Sequence, residues 1–392
     1  MIPWREILAL RSEWQLDANV IEKDYALGWL LAGIAHDDDL SETWVFKGGT
    51  CLRKCYFETY RLSEDLDFTV TDDGPETPEE LTPIFTRIAE WMRRESGIEI
   101  VVEDGSFVRQ RNRRGHPTTQ GRLTYRGPNP PAQPPKVKID ITGDELLVEA
   151  PEIRPIVHPY SDAPLPVNGV RCYTLTELCG EKLRTLAERC RPRDLYDVVH
   201  MSRHPDLLDQ PTAIAEVLAR KCEFVGISVP DLASIQASPF REEIAREWGN
   251  MLGHQLPRPL PPFADFWGTL DDVFAWLAGE AHVMPLPRAE LGQLDDTWIA
   301  PREMTSWRGG APLELVRYAG ANKMKVEIDY RAEEGLRGPR TVEPYSLRRT
   351  QDGNLLLFVV NDRNQLRVYR VDRIAAVRPT GDSFVPRFLV EF

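Results

Sequence analysis

Three aspartates and a glycine turn are the candidate catalytic residues of this sequence. Asp65 and Asp67 lie two residues apart in a segment with the composition of a β-strand, so both side chains project to one face. Asp140 lies within a second alternating segment, where a lone carboxylate is costly unless it is paired or binds a cation. The turn Gly48-Gly49-Thr50 offers main-chain N–H groups that a phosphate can approach without obstruction by a Cβ atom.

Two-metal phosphoryl transfer requires groups of these types. Hard carboxylate oxygens hold two Mg²⁺ ions about 3.5–4 Å apart, one activating an acceptor hydroxyl and the other binding the triphosphate. Each signal alone is weak, since Gly-Gly-Thr is usually only a turn and paired aspartates occur by chance in acidic chains. In this order and on these elements, they predict a catalytic site.

The apolar pattern predicts the elements that position these residues. Helical periodicity predicts helices at 4–35, 50–56, 78–94, 175–186 and 193–201, and helical sequence continues to about residue 279. Alternation predicts strands at 44–46, 66–70, 98–102 and 136–142.

The sequence changes character towards its C-terminus. Pro285, Pro287, Pro301 and Gly309-Gly310 indicate a linker, after which short strands are predicted at 325–330, 355–360, 366–371 and 387–392. This spacing predicts a small β-sheet or barrel. The expected domains are a core at 1–210, a helical extension at 211–295, a linker at 296–311 and a β domain at 312–392.

Composition indicates a globular protein of several domains. The chain has 392 residues, of which 42% are hydrophobic and 28% charged. No basic and apolar leader opens it, and its longest apolar stretch, 25–35, is shorter than the roughly 20 residues of a membrane span. The six cysteines include no CxxC pair, so reduced thiols are favoured over a metal site at Cys51 and Cys55. We expect a cytoplasmic protein without a membrane segment.

A basic run stands out against the net charge of −13. Between Phe107 and Ile139 there is no acidic residue, and the basic ones are Arg109, Arg111, Arg113, Arg114, Arg122, Arg126, Lys136 and Lys138. Such a run attracts phosphate through Coulomb forces and counterion release. The alternative is a solvated loop without a ligand.

Several motifs together resemble a known family. Residues 46–54 (FKGGTCLRK) and 61–68 (RLSEDLDF), with 21–25 (IEKDY), 181–183 (EKL) and 193–197 (RDLYD), are similar to the AbiEii-type nucleotidyltransferase toxins, a branch of the polymerase-β-like superfamily. The resemblance spans about residues 15–205. It implies an α+β fold, with a polymerase-β-like nucleotidyltransferase core and the helical extension.

The resemblance also implies roles for single residues. Asp65 and Asp67 match the metal-binding pair, and Asp140 matches the third carboxylate. Lys182 matches a lysine that holds NTP phosphates, and Asp194 an aspartate that activity requires. For Asp194 the alternative is an ion pair on a helix surface, with an arginine at 189 or 193. Candidate nucleotide-binding residues near the turn are Lys47, Gly48, Gly49, Thr50, Lys54, Arg61 and Ser63, the two lysines being equally well explained as solvated helix residues.

The implied reaction transfers NMP from an NTP to an acceptor hydroxyl and releases pyrophosphate. RNA is the implied acceptor, foremost a tRNA 3′ end, in a toxin or phage-defence effector controlled by a separately encoded antitoxin. Two alternatives remain open. One is NMP transfer to a protein hydroxyl, and the other is a catalytically inactive regulator that binds nucleic acid.

The C-terminal residues resemble a different family. Residues 326–331, 340–347 and 369–374 are similar to WYL-type domains, which are small β-rich ligand-sensing modules. Where that family has its Trp-Tyr-Leu strand, this chain has Leu355-Leu356-Leu357-Phe358, which removes an aromatic stacking platform. Arg363, Arg370 and Arg373 are candidates for anion contact, against the alternative of a purely structural domain with a basic surface.

Overall fold

The chain folds into two β-sheets with helices packed around them. The structure is a computed structural model that describes residues 1–57, 61–129, 133–162, 169–237, 241–280, 286–292, 294–295, 297–298, 313–331 and 337–392. It contains an eight-stranded mixed sheet and a five-stranded antiparallel sheet, so the α+β fold class is confirmed. Most of the expected linker at 296–311 lies outside the described residues, and the domain boundaries remain predictions.

The helices agree closely with the periodicity of the sequence. They are α1 (Trp4–Trp14), α2 (Ala18–His36), α3 (Asp38–Ser41), α4 (Gly48–Cys51), α5 (Pro78–Ser96), α6 (Leu175–Arg189), α7 (Pro192–Met201), α8 (Pro211–Val225), α9 (Leu232–Gln236), α10 (Arg241–Leu252), α11 (Phe263–Gly268), α12 (Leu270–Leu277) and α13 (Leu313–Ala321). A π-helical turn, Leu52–Tyr56, continues α4.

The strands include four of the larger sheet that the sequence did not predict. In chain order the strands are β1 (Trp44–Lys47), β2 (Asp65–Val70), β3 (Glu99–Val101), β4 (Phe107–Arg111), β5 (Pro117–Arg126), β6 (Lys136–Thr142), β7 (Glu152–Arg154), β8 (Val170–Cys172), β9 (Met324–Arg331), β10 (Arg337–Arg349), β11 (Leu355–Asn361), β12 (Leu366–Arg370) and β13 (Ile374–Ser383). The four that the sequence did not predict are β4, β5, β7 and β8. Much of the basic run is therefore a hairpin of β4 and β5 rather than a loop.

The larger sheet places the two aspartate strands side by side. Its order is β3-β5-β6-β2-β1-β8-β7, with β4 added to β5. Strand β6 is parallel to β2, and β5 is antiparallel to β6. Strand β1 is antiparallel to β2 and parallel to β8. One face carries buried apolar side chains, among them Leu66, Phe68, Leu123, Ile139 and Ile141. Alternation therefore turns the intervening polar residues to the opposite face.

Helix α5 covers the apolar face at one side of the sheet. It begins with a capping box between Thr77 and Glu80 and ends at Gly97, whose φ is +76°. Its buried residues follow helical spacing, and the ring centroids of Phe85 and Phe107 of β4 lie 4.8 Å apart.

Among the described helices, none has the length and apolar character needed to cross a membrane.

The C-terminal strands form an open sheet. Their order is β12-β11-β10-β9-β13, and the two end strands do not pair with each other in the described residues, so a sheet rather than a barrel is formed. The expected strand at 387–392 is wrong: Glu391 makes only an isolated bridge to Ser346. Helix α13 packs on this sheet. It also contacts the helical region, since Tyr318 Oη donates a hydrogen bond of 2.9 Å to the Pro259 carbonyl.

A buried ion pair ties α2 to the π-helical turn. Lys54 Nζ lies 2.7 Å from Asp24 Oδ2, and the two side chains are 2% and 1% exposed. Tyr160 Oη also donates to Asp24 Oδ2, at 2.9 Å. Because a buried charge without a partner is expensive, this pair fixes how the helix and the turn meet.

Replacing Asp24 by Ala should destabilise the protein strongly. The change leaves the Lys54 ammonium buried without its carboxylate, at a cost of about 3–5 kcal/mol in the free energy of unfolding. The measurement is urea denaturation. Asp39→Ala is the control, because it breaks an exposed pair with Arg87, where losses of about 0–1 kcal/mol are usual. Equal losses in the two variants would contradict a structural role for the buried pair.

Candidate active site

The three aspartates lie on one face of the larger sheet. The parallel register of β2 and β6 pairs Asp67 with Asp140, and pairs Asp65 with Lys138. Residues in register on adjacent strands point to the same side, so the three carboxylates share a face, and all three are partly exposed. We call this side, with Gln120 and Arg122 of β5, the aspartate face.

The carboxylates are neighbours that do not form one tight group of three. They do not all lie within 4.8 Å of one another. Asp140 is drawn towards Lys138, with which it forms an ion pair, and it accepts a hydrogen bond of 3.0 Å from Gln120 Nε2. Like charges on adjacent strands repel, and a nearby ammonium group offsets part of that repulsion.

Electrostatics mark Asp67 as the centre of the cluster. Burial and the neighbouring Asp140 carboxylate raise the pKa of Asp67 to about 6, although Lys47 and Lys182 act in the opposite direction. A carboxylate in this environment gains from a further positive charge. The donor set of three carboxylates suits a hard divalent cation, which Asp65, Asp67 and Asp140 would hold. Such a cation would supply Lewis-acid activation of a hydroxyl or phosphate oxygen.

The glycine turn packs directly against the aspartate strand. Gly48 has a φ of +81°, and a Cβ atom there would lie 2.3 Å from Asp67 Oδ2. A Cβ atom on Gly49 would lie 2.5 Å from Arg61 Nη2 and 3.3 Å from the Oγ atom of the buried Ser63. Thr50 Oγ1 donates to the main-chain carbonyl of Asp65. Both glycines are therefore needed for the approach of the turn to the site, whereas their contact with phosphate remains a prediction.

Lys182 belongs to a network of five charged side chains, four of them buried and the fifth, Arg189, exposed. Its Nζ lies 2.7 Å from Asp197 Oδ2 and 3.6 Å from Asp194 Oδ1. Asp197 also binds Arg61 through two hydrogen bonds of 2.8 Å. Asp194 binds Arg189 through hydrogen bonds of 2.8 and 3.0 Å. The alternative interpretation of Asp194 named the right partner, but the side chain is buried instead of lying on a helix surface.

Asp197 is a residue of this network that the sequence did not mark as functional. Burial alone would raise its pKa, but Arg61 and Lys182 hold the pKa of Asp197 well below its usual range. Its only sequence signal was its place in the RDLYD segment. Its position between Arg61, which precedes β2, and Lys182 of α6 links the aspartate strand to the helices.

The two lysines that flank the turn have different surroundings. Lys47 is in register with Asp67, and its Nζ lies 2.9 Å from Glu145 Oε1. Burial acts against its charge, yet Glu145 keeps the pKa of Lys47 well above its usual value. Lys54 instead makes the buried pair with Asp24 described above. The structure thus brings Lys47 to the cluster and places Lys54 in a structural contact.

Two further features lie near the site. The Sγ atoms of Cys51, Cys55 and Cys172 are buried and lie within 4.8 Å of one another. The third cysteine comes from β8, so the spacing of cysteines in the sequence could not reveal this group.

A cleft of about 350 Å³ lies beside Arg189. It is lined by Arg113, Glu188, Arg189, Cys190, Arg191, Pro192, Glu243, Ile244, Glu247 and Met251.

Comparison with known proteins identifies the family. The family model described as nucleotidyl transferase AbiEii toxin, type IV toxin–antitoxin system, matches residues 29–273. The chain belongs to this AbiEii family. Membership makes it a nucleotidyltransferase that uses an NTP, in a family of toxins with cognate antitoxins. The model of the WYL domain matches residues 312–379. In this domain Arg370, a candidate for anion contact, is paired with Asp372.

Solved structures with some likeness are distant from this AbiEii chain. The nucleotidyltransferase toxin MenT4 of Mycobacterium tuberculosis is 20% identical, with a TM-score of 0.49, over 71% of this chain and 90% of that one. Proteasome accessory factor B/C of Arthrobacter aurescens is 29% identical, with a TM-score of 0.17, over 18% of this chain and 12% of that one. No curated protein matches the sequence.

Replacing Gly48 by Ala should cost more stability than the backbone conformation alone explains. Gly105 is a matched control, because its φ is +85° and a Cβ atom there would meet nothing within 4 Å. Both changes should lose about 1–2 kcal/mol from the left-handed backbone. Gly48→Ala should lose about 1–3 kcal/mol more because of overpacking against Asp67. Equal midpoints of chemical denaturation would show that the turn can move away.

Proposed function

We propose that this AbiEii protein transfers NMP from an NTP to a hydroxyl of an RNA, with a tRNA 3′ end as the preferred acceptor and two Mg²⁺ ions as cofactors. The main support is the alignment of Asp65, Asp67 and Asp140 on one face beside the glycine turn. A cluster of acids with a raised pKa at its centre is unfavourable unless it serves to bind cations.

The proposed reaction is a substitution at the α-phosphorus. The acceptor oxygen forms a new ester bond to the α-phosphorus while the bond to the β-bridging oxygen breaks. Pyrophosphate leaves with that oxygen, and the acceptor hydroxyl gives up its proton to solvent water. The protein contributes mainly position and charge to such a transfer.

Lys47 and Lys182 are the proposed phosphate ligands. Lys47 is in register with Asp67, and both ammonium groups act to lower the pKa of Asp67, which supports a role for them beside the cluster. Each already has a carboxylate partner, Glu145 for Lys47 and Asp197 for Lys182. These partners hold the lysines in place before the nucleotide arrives, which lowers the entropy cost of binding.

Asp194 is proposed as a positioning residue. It contacts Lys182 and Arg189, which lies in the cleft beside the site. Losing its carboxylate would leave Arg189 without this partner and would remove one of the two carboxylates beside Lys182, so both cations would shift. For the cell, we propose a toxin or phage-defence effector in the cytoplasm, inhibited by a separately encoded antitoxin.

The reaction can be tested with purified protein, Mg²⁺, each of the four labelled NTPs, and total tRNA or total protein in separate reactions. Label in tRNA on a denaturing gel, lost on chelation with EDTA, supports the proposal. Label in protein alone favours modification of a protein hydroxyl. No label with either acceptor, together with tight binding to DNA, favours the inactive regulator.

Replacing Asp67 by Asn should abolish transfer and leave the fold intact. The change removes a negatively charged ligand with almost no change in volume, and it relieves repulsion from Asp140. We expect a loss of transfer rate of at least about a thousandfold, since the proposed cations stabilise the reacting charges. Circular dichroism and thermal unfolding provide the control for folding. Full activity in a folded variant would refute the site.

Replacing Lys182 by Ala should chiefly impair use of the NTP. The variant removes a proposed phosphate ligand but keeps Asp197 bound to Arg61. We expect the KM for the NTP to rise about tenfold or more, as for a lost charged contact. Lys325→Ala, in the WYL domain, is the control. An unchanged dependence on NTP concentration would remove Lys182 from the site.

A further inference from the structure

The aspartate face is covered at one end and open at the other. At β1, Lys47 is buried, with Glu145 at 2.9 Å and the Tyr173 ring at 5.8 Å. At β5 and β6, Arg122, Arg126 and Lys136 are exposed. A large substrate can therefore reach the carboxylates from the side of β5 and β6.

The register arranges the basic residues in a row that leads away from the aspartates. Gln120 is paired with Asp140, Arg122 with Lys138, and Thr124 with Lys136. Arg126 lies further along β5 on the same face, because it is an even number of residues from Gln120. At the rise of a β-strand, the row extends about 20 Å from the level of Asp140.

The charges of this row are only weakly neutralised. Most other members of the basic run have carboxylate partners: Arg109 with Glu76, Arg113 with Glu188, Arg114 with Asp144, and Lys138 with Asp140. Arg111 instead donates to the Gly115 main-chain carbonyl, and it lies on the same side of β4 as Arg109, away from the row. Arg122 donates to the neutral Gln120. Within the part of the chain that the structure describes, no carboxylate pairs with Arg122 or Lys136. Arg126 faces Glu99 at 3.7 Å, with both side chains largely exposed.

We propose that Arg122, Lys136 and Arg126 bind consecutive phosphates of the RNA whose hydroxyl reacts at the aspartate cluster. This inference rests on the proposed function for the identity of the acceptor. A row of exposed cations at strand spacing suits a linear polyanion, and the chain as a whole, at −13, needs such a local positive surface to attract one. A protein acceptor has no repeating charge that would use the row.

The test is binding of fluorescently labelled total tRNA without NTP, followed by anisotropy over a range of salt concentrations. The double variant Arg122→Glu, Lys136→Glu should bind about 30-fold more weakly near 0.1 M salt. The slope of log affinity against log salt should fall by about 1.4, from two lost contacts to single-stranded RNA. Thermal unfolding and the KM for the NTP should stay unchanged, since both side chains are exposed and outside the cluster.

The matched control is Arg93→Glu, Arg94→Glu on α5, the helix that packs against the opposite, apolar face. It makes the same change of charge, and it should keep wild-type affinity and slope. Equal weakening in both double variants would overturn the proposal, because only the overall charge would then matter. Unchanged binding after reversal of the row would overturn it as well, and so would failure of the wild type to bind RNA.

Comparison with the transfer assay separates the two proposals. If the wild type labels no RNA but binds it through this row, the proposed reaction fails and the row stands. If RNA is labelled equally well by the wild type and the row variant, the reaction stands and the row is refuted. Transfer of label to protein alone, at a rate that reversal of the row leaves unchanged, would overturn both.

Discussion

The structure depends on one constraint, the parallel register that sets Asp67 directly beside Asp140. Two carboxylates on adjacent strands repel each other, and burial adds to the cost of ionising the inner one. The surroundings offset this with cations: Lys138 binds Asp140, while Lys47 and Lys182 act on Asp67. In a protein selected only for stability, we would expect apolar residues, or residues of opposite charge, at these two positions. The arrangement therefore supports the proposal of a cation site.

The same constraint explains why so many charges are buried around the cluster. The network of Arg61, Asp197, Lys182, Asp194 and Arg189 connects the segment before β2 with α6 and α7. Buried ion pairs add little net stability, but removing one partner is costly, so they hold one arrangement against others. Here they fix the distance between the sheet that carries the aspartates and the helix that carries Lys182, the proposed phosphate ligand. Gly48 completes the fit because no side chain can stand between the turn and Asp67.

The sequence predicted those parts of the site that depend on local periodicity. Alternation in β2 was enough to place Asp65 and Asp67 on one face, since side chains alternate strictly along a strand. Asp140 joins them through the parallel register of β2 and β6, which alternation within one strand does not determine. The sequence could not distinguish the roles of Lys47 and Lys54. Their partners, Glu145 and Asp24, are brought to them by tertiary contacts. The C-terminal barrel alternative failed for a similar reason: closure requires the end strands to pair, which strand spacing does not determine.

Folding divides the basic residues of the basic run into two sets with different surroundings. In the chain the run is simply a stretch without acids, with no apparent order among its arginines. Once β4 and β5 form, the two-residue period sends Arg109 to the side of Glu76 and Thr119, where it is neutralised. The same period sends Arg122 and Lys136 to the side of the carboxylates, where they remain exposed. Positive potential is thus concentrated next to the aspartates of an acidic protein, a property that follows from strand register and that net charge alone cannot reveal.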